Sequence, residues 1–297
     1  MTMELRHIRY FLAVAEEMNF TRAAEKLRIA QPPLSRQIQE LEAELGTKLF
    51  VRRPHALQLT EEGMLFQQYA QQILDLVKRS AEDIGEMENG LQGTLYLASV
   101  EGHAPGIFAE WIAGFHKKYP HVTYNMWNGN SDDVANRVMK GLCDLAIIME
   151  PHSIEGLASF PVYQEPWAAM IPKDHPLAQS PDQELKLEEL LPYELIIPSR
   201  ESRLHEINSW FPEGSKPVVR CRIAHLLNAY ELTKKGVGIA IYPEAAADGV
   251  PKEEICIRRI ADPGILASYV VIRSKSRTLS RVAQEFLNYI QEHGYER

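Results

Sequence analysis

The sequence predicts a multidomain protein with a small, mostly helical N-terminal domain, one long helix and a larger α/β region. Three observations support this division. The first 60 residues contain three short helical patterns followed by two short strand patterns. Residues 60–89 form one continuous helical pattern, and beyond them short strands alternate with helices. At 297 residues the chain is long enough for two or three compact units.

The composition is typical of a globular protein with an ample core, because 45% of the residues are hydrophobic and 24% are charged. No apolar run approaches the roughly 18–20 residues that span a membrane. The N-terminal segment carries three glutamates and does not have the pattern of a signal peptide. Cys143, Cys221 and Cys256 are far apart and fit neither a disulfide framework nor a metal site. We therefore expect a cytoplasmic protein that uses no cofactor.

The charge of the chain is unevenly distributed. The net charge is −8 overall, with +2 on residues 1–60 and −10 on the remainder. A slightly basic N-terminal domain on an acidic body indicates that an anionic partner would bind to the N-terminal domain.

The elements of the first 60 residues form a recognisable series. Residues 4–18 have apolar side chains at helical spacing and predict the first helix. Thr21 is expected to cap a second helix over Arg22–Leu27, and a third helix is expected over Pro32–Leu45. The segment "TKLFVRRPHALQLT" then predicts two short strands around a tight turn. Three helices and a two-stranded turn predict a winged helix-turn-helix, whose third helix enters the major groove of DNA.

Two adjacent prolines, Pro32 and Pro33, open the third helix. The amides of a first helical turn have no intrahelical partner, so a proline there loses no hydrogen bond and presets the backbone angle. Arg and Gln side chains can bind a purine edge through two hydrogen bonds. The residues expected to face DNA from this end of the helix are Gln31, Ser35, Arg36 and Gln39.

The long helix begins at Thr60, whose hydroxyl can cap it, and continues with Glu61 and Glu62 in its first turn. Alternating spacings of four and three predict a coiled-coil seam that pairs with a second copy of the chain. The alternative is that this face packs on its own domain. The seam consists of Phe66, Ala70, Ile73, Val77, Ser80, Ile84 and Met87.

The remaining 200 or so residues have the rhythm of parallel sheets covered by helices. The predicted strands are Leu95–Val100, Val122–Trp127, Asp144–Met149, Trp167–Ile171, Glu194–Pro198, Val218–Ile223, Gly238–Tyr242 and Tyr269–Arg273. The predicted helices are Ala104–Tyr119, Ser131–Gly141, Glu201–Phe211, Ala224–Lys235 and Thr278–His293.

Four segments of the first 63 residues carry a specific resemblance: "FTRAAEKL", "AQPPLSRQI", "LEAELGTKLF" and "LTEEG". The continuous stretch that contains them resembles the DNA-binding domain of the LysR-type transcriptional regulators. The rest of the chain is similar to the effector-binding region of that family in length and in looser motifs such as "DLAII", "KDHPLA" and "GVGIAIYPE". The resemblance implies a bacterial regulator that dimerises through its linker helix, assembles into homotetramers and binds pseudo-palindromic promoter DNA.

The resemblance also assigns DNA contacts to matching positions. It implies that Thr21 and Arg22 lie near the DNA backbone and that Gln31, Pro32, Ser35 and Arg36 lie in the major groove. It places Arg52 and Arg53 on the wing, beside the minor groove. Ala30 departs from the family pattern, since many members have Ser or Thr there as a helix cap, and the loss of that cap would cost about 1 kcal/mol.

The domain boundaries follow from the elements and the resemblance together. The winged helix-turn-helix occupies residues 1–60, the linker helix residues 61–90 and the effector-binding domain residues 91–297. The resemblance implies a two-lobed α/β fold similar to periplasmic solute-binding proteins, with two chain crossings between the lobes. The first lobe is expected over residues 93–163 and 267–297, and the second over residues 164–266.

Ligands of open α/β sheets bind beyond the carboxyl ends of strands, where helix N-termini offer amides. Polar residues follow several of the predicted strands at such positions, and His225 begins a further helix. The expected effector-binding residues are Val100, Glu101, Gly102, His103, Asn128, Asn130, Met149, Pro198, Ser199, Arg200 and His225.

Glu101 makes the expected ligand chemistry unusual. By resemblance it occupies a position where family members often have a Ser or Thr that binds an anionic effector. A carboxylate there repels a carboxylate ligand unless it is protonated or paired, and we expect Arg200 and His103 as its partners. A hydroxylated, amine-bearing or zwitterionic effector therefore fits better than an aromatic acid.

Other function classes fit the sequence less well. A solute-binding protein would account for residues 93–297 but would not carry a helix-turn-helix. An α/β enzyme would need a nucleophile, base or cofactor motif, and no GxSxG, HExxH or Walker loop is present. An architectural DNA-binding protein would bind DNA without a preferred site or a ligand response. The sequence therefore predicts an effector-responsive transcriptional regulator.

Overall fold

The chain forms two compact units, Met1–Glu88 and Asn89–Arg297. The computed structural model describes residues 3–53, 56–85, 91–150, 155–180, 182, 184–212, 214–261 and 266–293. Residues 52, 53, 56, 78, 79 and 81–85 are described by their backbone only.

The first unit contains four helices and one β-hairpin in the predicted order. Its elements are α1 (Leu5–Glu17), α2 (Phe20–Leu27), α3 (Gln31–Leu45), β1 (Phe50–Arg53), β2 (Ala56–Leu59) and α4 (Glu61–Gly85). The antiparallel register joins Phe50 to Leu59 at the base of the hairpin. The Thr60 hydroxyl accepts the amide hydrogen of Gly63 at 2.9 Å, as expected of a residue that caps α4. The predicted three helices and two-stranded wing are therefore confirmed.

The core of this unit is built around Phe11 of α1, which is fully buried. Its ring lies 5.2 Å from that of Phe50 and 4.8 Å from that of Phe66, measured between centroids. Leu34 and Leu41 of α3 are also fully buried and belong to the same cluster. The apolar faces of α1, α3 and α4 thus close around one small core together with the wing.

The predicted coiled-coil seam of α4 is wrong for its N-terminal half. Phe66 and Ile73 pack against the core of the first unit, and Ala70 is fully buried in it. This face of α4 therefore lies on its own domain, which was the alternative interpretation of the spacing. Ile84 and Met87, the C-terminal members of the seam, have side chains outside the described residues.

A different face of α4 is exposed. Leu65, Tyr69 and Leu76 have 54%, 51% and 37% of their surface accessible. Spacings of four and seven residues place them on one stripe, which we call the α4 stripe. It lies about 100° around the helix from the buried face, because each residue advances the helix by about that angle.

The second unit contains ten strands, six α-helices and two short 3-10 helices among the residues that the structure describes. Its strands are β3 (Gly93–Ser99), β4 (Val122–Asn128), β5 (Leu145–Met149), β6 (Leu157–Pro172), β7 (Glu184–Leu185), β8 (Glu194–Pro198), β9 (Val218–Ile223), β10 (Ile239–Pro243), β11 (Ile255–Ile260) and β12 (Leu266–Ser274). Its helices are α5 (Ala104–Lys118), α6 (Ser131–Met139), α7 (Leu187–Leu190), α8 (Glu201–Ser209), α9 (Leu226–Lys234) and α10 (Arg281–His293), with 3-10 helices at Pro176–Gln179 and Glu244–Gly249.

The strands form two mixed lobes that share the long strand β6. In the first lobe the order is β4-β3-β5-β12-β6, and in the second it continues through β6 to β10, β8 and β9. The residues of β6 up to Pro166 pair with β12, whereas those from Trp167 onward pair with β10. The chain therefore crosses between the sheets near Pro166, and it returns at Leu266, where β12 begins. The expected boundaries at 163 and 266 lie within a few residues of these crossings.

The sheets differ from the expected parallel arrangement. Strands β3, β4 and β5 are parallel, as are β8, β9 and β10, but β6 and β12 run antiparallel to their neighbours. Sequence periodicity also missed β7, β11 and the first ten residues of β6. Half-buried and exposed side chains predominate in those ten residues of β6, whereas the apolar run that predicted the strand is its fully buried end, Trp167–Ile171.

Helices cover the first lobe, with Phe115 of α5 packed edge-on against Phe286 of α10 at a centroid distance of 5.0 Å. Both rings are fully buried. Among the described residues, no helix is both long enough and apolar enough to cross a membrane.

Candidate functional site

The junction of α2 and α3 determines how the first unit presents its surface. The side chain of Asn19, and not that of Thr21 as expected, caps α2, accepting the amide hydrogens of Thr21 at 2.8 Å and Arg22 at 3.1 Å. The predicted cap was wrong by two residues because α2 begins two residues earlier than expected, at Phe20. After α2, Arg28 has a left-handed φ of 57°, which turns the chain into α3 within three residues.

Thr21 and Arg22 lie exposed in the first turn of α2. The Arg22 guanidinium donates to the Glu17 carbonyl at 2.6 Å, and its Nε lies 3.5 Å from the Glu17 carboxylate. The C-terminal end of α1 therefore holds this cation in place beside the turn. A positively charged side chain with a fixed base is suited to a phosphate contact.

The start of α3 agrees with the expectation from its prolines. Ala30 is the N-cap residue and provides no side-chain hydrogen bond, while Pro32 and Pro33 lie in the first turn. The Gln31 amide nitrogen donates to the Ser35 hydroxyl at 3.1 Å, and both side chains are half-buried. These two residues are therefore tied to each other along the first turn of the helix.

One stripe of α3 is left open to solvent. Pro32, Arg36 and Gln39 are exposed and follow one another at spacings of four and three residues. The Arg36 side chain is 80% accessible, and its Nε lies 3.0 Å from the carboxylate of Glu40, four residues further on. An exposed pair of this kind contributes little stability, so Arg36 can exchange it for another acceptor at low cost.

The buried carboxylate of Glu42 joins α3 to the wing. Its Oε1 accepts the amide hydrogens of Leu49 at 3.0 Å and Phe50 at 3.3 Å, and its Oε2 accepts from Lys48 at 2.6 Å. Glu42 is only 6% exposed. Arg52 and Arg53 follow on β1, paired with Leu57 and Ala56 of β2, and the placement of their side chains lies outside the described residues. The contacts predicted for these two arginines thus stay a prediction.

The second unit contains a cavity of about 100 Å³ between its two sheets, which we call the cleft cavity. Most of its surface is formed by apolar side chains, and the N-termini of α6, α8 and α9 surround it. It is lined by Val100, Glu101, Gly102, Gly129, Asn130, Ser131, Met149, Trp167, Pro198, Ser199, Arg200, Arg203, Ile223, Ala224, Leu226, Tyr242, Pro243, Ala246 and Tyr269.

Eight of the eleven residues predicted from strand ends line this cavity. They are Val100, Glu101, Gly102, Asn130, Met149, Pro198, Ser199 and Arg200. The other three predicted residues lie beside the cavity without lining it. His103 packs its ring 4.5 Å from that of Tyr163, Asn128 donates to the Ser99 hydroxyl at 3.2 Å, and His225 contacts Glu101.

The expected partners of Glu101, Arg200 and His103, are wrong. One oxygen of the Glu101 carboxylate lies 2.7 Å from Nδ1 of His225, and the other accepts the amide hydrogen of Leu226 at 3.1 Å. Glu101 follows β3 of the first lobe, whereas His225 and Leu226 begin α9 of the second. Glu101 therefore caps a helix of the opposite lobe, because its loop leaves the sheet directly across from that helix N-terminus.

Two arginines also connect the lobes. Arg200 lies 2.9 Å from the carboxylate of Asp132 in α6 and donates to the Met149 carbonyl at 3.3 Å. Arg203, which is 3% exposed, donates to the Glu150 carbonyl at 2.6 Å and pairs with Glu206. Burial lowers the pKa of Arg203 and raises that of Glu206.

The chain crossings between the lobes enclose another carboxylate, Glu165. It is 3% exposed and accepts the amide hydrogen of Ala245, at the start of a 3-10 helix. Burial raises its pKa, and burial together with the adjacent Glu165 carboxylate raises the pKa of Tyr269 on the neighbouring strand β12. These groups lie where β6 and β12 pass from one sheet to the other.

Several residues that line the cavity were not among those predicted from the ends of strands. Trp167, Tyr242 and Tyr269 come from within or near the ends of strands whose apolar runs predicted only core positions. Arg203 is the third residue of α8, and its position in "PSRESR" gave no signal beyond ordinary helix charge. The available signal was an indole or phenol in a core strand, since each carries a polar group that needs a partner.

Among the residues that the structure describes, no group of three or more His, Cys, Asp or Glu side chains could hold a metal ion. Cys143 is buried, and Cys221 and Cys256 are half-buried free thiols.

Comparisons with known proteins agree on both units. Residues 5–64 match the family model of the bacterial regulatory helix-turn-helix protein, lysR family, and residues 88–294 match that of the LysR substrate binding domain. The uncharacterized HTH-type transcriptional regulator YnfL of Escherichia coli (strain K12) is 31% identical, covering 96% of this chain and 97% of that protein. The HTH-type transcriptional regulator BenM of Acinetobacter baylyi is 28% identical, covering 92% and 90%. The crystal structure of full-length CbnR with its target DNA has a TM-score of 0.78 at 24% identity, covers 98% of this chain and 99% of that chain, and shares its fold.

Proposed function

Because the chain belongs to the LysR family of bacterial transcriptional regulators, we propose that it binds pseudo-palindromic promoter DNA through α3 and the wing, and that an effector in the cleft cavity controls this binding. Regulators of this family combine a helix-turn-helix with an effector-binding domain, and both are present here. Since its relatives are transcriptional regulators, we propose a cytoplasmic protein that acts without catalysing a reaction.

The observation that carries the DNA-binding proposal is the open stripe of α3. Pro32, Arg36 and Gln39 are exposed on one side of that helix, while Leu34 and Leu41 are fully buried on the other. Side chains near the N-terminus of the second helix of a helix-turn-helix contact base edges. We assign base contacts to Gln31, Pro32, Ser35, Arg36 and Gln39, and backbone contacts to Thr21, Arg22, Arg52 and Arg53.

Self-association is the second part of the proposal. The α4 stripe of Leu65, Tyr69 and Leu76 leaves three large apolar side chains exposed on a helix of 25 residues. Burial of such side chains against a second copy is favourable, and a symmetric dimer matches a pseudo-palindromic site. We therefore propose that α4 forms a dimer through this stripe and that dimers associate further into homotetramers.

Effector control is the third part. The cleft cavity lies between two lobes that are connected by β6 and β12 and by side-chain contacts across the gap. A ligand shifts such an arrangement only through different affinities for its two states. We propose that the lining residues named above bind the effector and that lobe closure changes the geometry of the DNA-bound oligomer.

Arg36→Ala tests the DNA-binding proposal. We expect the variant to bind its operator about 1–3 kcal/mol more weakly and to discriminate less at one base pair, because a bidentate contact to a purine edge is lost. The operator is located by footprinting on the promoter DNA next to the gene, and affinities are measured at one fixed salt concentration.

Arg220→Ala is the matched control, since it removes another exposed arginine, one that pairs with Glu194 in the second unit. Its operator affinity should equal that of the wild-type protein. Equal affinity of Arg36→Ala and wild-type protein for the operator would contradict the assignment of α3 as the base-reading helix.

A further inference from the structure

Resting on the effector cavity of the proposed function, we infer that Glu101 occupies the anion-binding position of that cavity and that the effector is a small, uncharged molecule with a hydrogen-bond acceptor. Glu101 is then the residue that determines specificity against anionic ligands. Three features of the cavity support this inference: the position of Glu101, the pairing of the cavity arginines, and two buried donors that lack a partner.

The position of Glu101 is that of a bound anion. Its carboxylate accepts the amide hydrogen of Leu226, the first residue of the nine-residue helix α9, and contacts His225 at 2.7 Å. A helix N-terminus is a preferred binding position for carboxylate and phosphate groups, because its amides lack intrahelical partners. An anionic ligand that approached α9 would have to displace Glu101 and would be repelled by its charge while it stayed nearby.

The cations of the cavity are already paired. Arg200 contacts Asp132 at 2.9 Å and the Met149 carbonyl, and Arg203 contacts Glu206 and the Glu150 carbonyl. Within the described part of the lining, no arginine or lysine is left without an acidic partner. A carboxylate ligand would therefore enter a largely apolar cavity without a free counter-ion, which is unfavourable for a buried charge.

A cationic ligand meets the opposite difficulty. The guanidinium groups of Arg200 and Arg203 both line the cavity, and Arg203 is almost fully buried. A further positive charge beside them would be repelled, while the Glu101 carboxylate is already bound by His225 and Leu226. An uncharged ligand avoids both penalties.

The two unpaired donors, Nε1 of Trp167 and the hydroxyl of Tyr269, indicate the polar group that the ligand should carry. Trp167 lines the cavity with 1% of its surface exposed, and its Nε1 has no hydrogen-bond partner among the described residues. One ring face is occupied by the guanidinium of Arg203, 4.9 Å from the ring centroid. A buried N–H without a partner is costly, so a carbonyl or hydroxyl oxygen that accepts from it contributes to affinity.

Three isosteric probes distinguish the ligand classes: benzamide is uncharged, benzoate is anionic and benzamidine is cationic at pH 7. Their affinities are measured by calorimetry with the full-length wild-type protein, at up to 20 mM probe. We expect benzamide to bind at least tenfold more tightly than either charged probe. Benzoate or benzamidine binding as tightly as benzamide, or no measurable binding of all three probes, would overturn the inference.

Two variants test the residues. Glu101→Gln removes the charge while keeping an acceptor for Leu226, and we expect it to raise benzoate affinity relative to benzamide affinity at least threefold. Trp167→Phe removes the indole donor, and we expect it to lower the affinity for benzamide about tenfold. Glu188→Gln, an exposed glutamate of α7 outside the cavity lining, is the matched control and should change neither affinity. A benzoate-to-benzamide ratio that is the same in Glu101→Gln and wild-type protein would contradict the role of Glu101.

The order of affinities of the three probes is measured on the wild-type protein. The inference therefore stays testable even if Glu101→Gln fails to fold. Operator footprinting with wild-type protein is run beside it. Specific protection of DNA together with a preference for benzoate would overturn the inference about Glu101 alone. If the wild-type protein protects no specific DNA sequence, the proposed function itself is contradicted.

Discussion

At the scale of single residues, the first unit depends on the buried carboxylate of Glu42. This one side chain binds two backbone amides of the wing and the ammonium group of Lys48. Since a carboxylate accepts hydrogen bonds from several donors, it replaces the water that those amides would otherwise lose on burial. The recognition helix and the wing are therefore linked chemically as well as by packing.

We predict that Glu42→Ala lowers the free energy of unfolding of the first unit by about 2–3 kcal/mol, because the buried amides of Leu49 and Phe50 lose their acceptor. Chemical denaturation followed by circular dichroism measures this change. Glu25→Ala, at an exposed position of α2, is the control and should change stability by less than about 0.5 kcal/mol. Equal stability of the two variants would contradict the importance of the Glu42 contacts.

The cap of α2 permits a second prediction at this scale. Asn19→Ala should destabilise the first unit by about 1 kcal/mol, since the amides of Thr21 and Arg22 lose their acceptor. Thr21→Ala should leave stability nearly unchanged while it weakens DNA binding. Thermal unfolding of the two variants distinguishes them, and a larger loss for Thr21→Ala would restore Thr21 as the cap.

The misplaced cap shows the limit of local sequence rules. Asn19 and Thr21 are both favourable cap residues, and the sequence alone favoured the one adjacent to the apolar helical pattern. The outcome was decided by Phe20, which is needed inside the helix because its ring packs 6.0 Å from that of Phe50. Tertiary packing thus shifted the start of the helix toward the N-terminus.

At the scale of elements, the two faces of α4 have different roles. Phe66, Ala70 and Ile73 complete the core of the first unit, whereas Leu65, Tyr69 and Leu76 lie exposed. Apolar spacing identified the helix and one of its faces, yet spacing does not say which surface covers that face. The sequence did not predict the exposed stripe, because the polar residue Gln72 interrupts its apolar spacing.

We predict that Leu76→Glu weakens self-association at least tenfold, because a charge in the α4 stripe would be buried at the interface without a partner. Analytical ultracentrifugation over a range of protein concentrations measures the change. Gln71→Glu adds the same charge at an exposed position of the same helix, on a face away from the stripe, and it should associate like the wild-type protein. Wild-type association of Leu76→Glu would place the dimer interface elsewhere.

At the scale of the whole molecule, the excess of positive charge is confined to the N-terminal domain. Residues 1–60 carry +2 and the remaining residues −10. DNA binding by such a protein releases counter-ions, so affinity falls with salt by a slope of about 0.9 per phosphate neutralised. The acidic body contributes repulsion and favours the approach of the basic end.

We predict that Arg22→Ala lowers the magnitude of the slope of log affinity against log salt concentration by about 1 per protomer, because a phosphate contact is removed. The order of preference among operator sequences should stay the same, in contrast to Arg36→Ala. Fluorescence anisotropy at four or more salt concentrations measures both quantities. A change in sequence preference without a change in slope would assign Arg22 to the bases instead.

The candidate effector site shows how much of a whole molecule a sequence can reveal. Strand ends indicated most of one side of the cavity, since β3, β5 and β8 each deliver their next residues to it. The pairing of Glu101 with His225 was not readable, because 124 positions separate them and the contact exists only when two lobes face each other. The choice between His225 and Arg200 as partner depends on that three-dimensional arrangement alone.

The prolines in the first turn of α3 have a consequence for how this protein contacts DNA. Many proteins hold a phosphate by directing the free amides of a helix N-terminus at it. Here Pro32 and Pro33 carry no amide hydrogen, and those of Thr21 and Arg22 in α2 are already bound by Asn19. Contacts from these two helix starts to DNA therefore depend largely on side chains, which single substitutions can replace. Operator preference in this protein is accordingly open to change one residue at a time, without rebuilding the backbone that presents it.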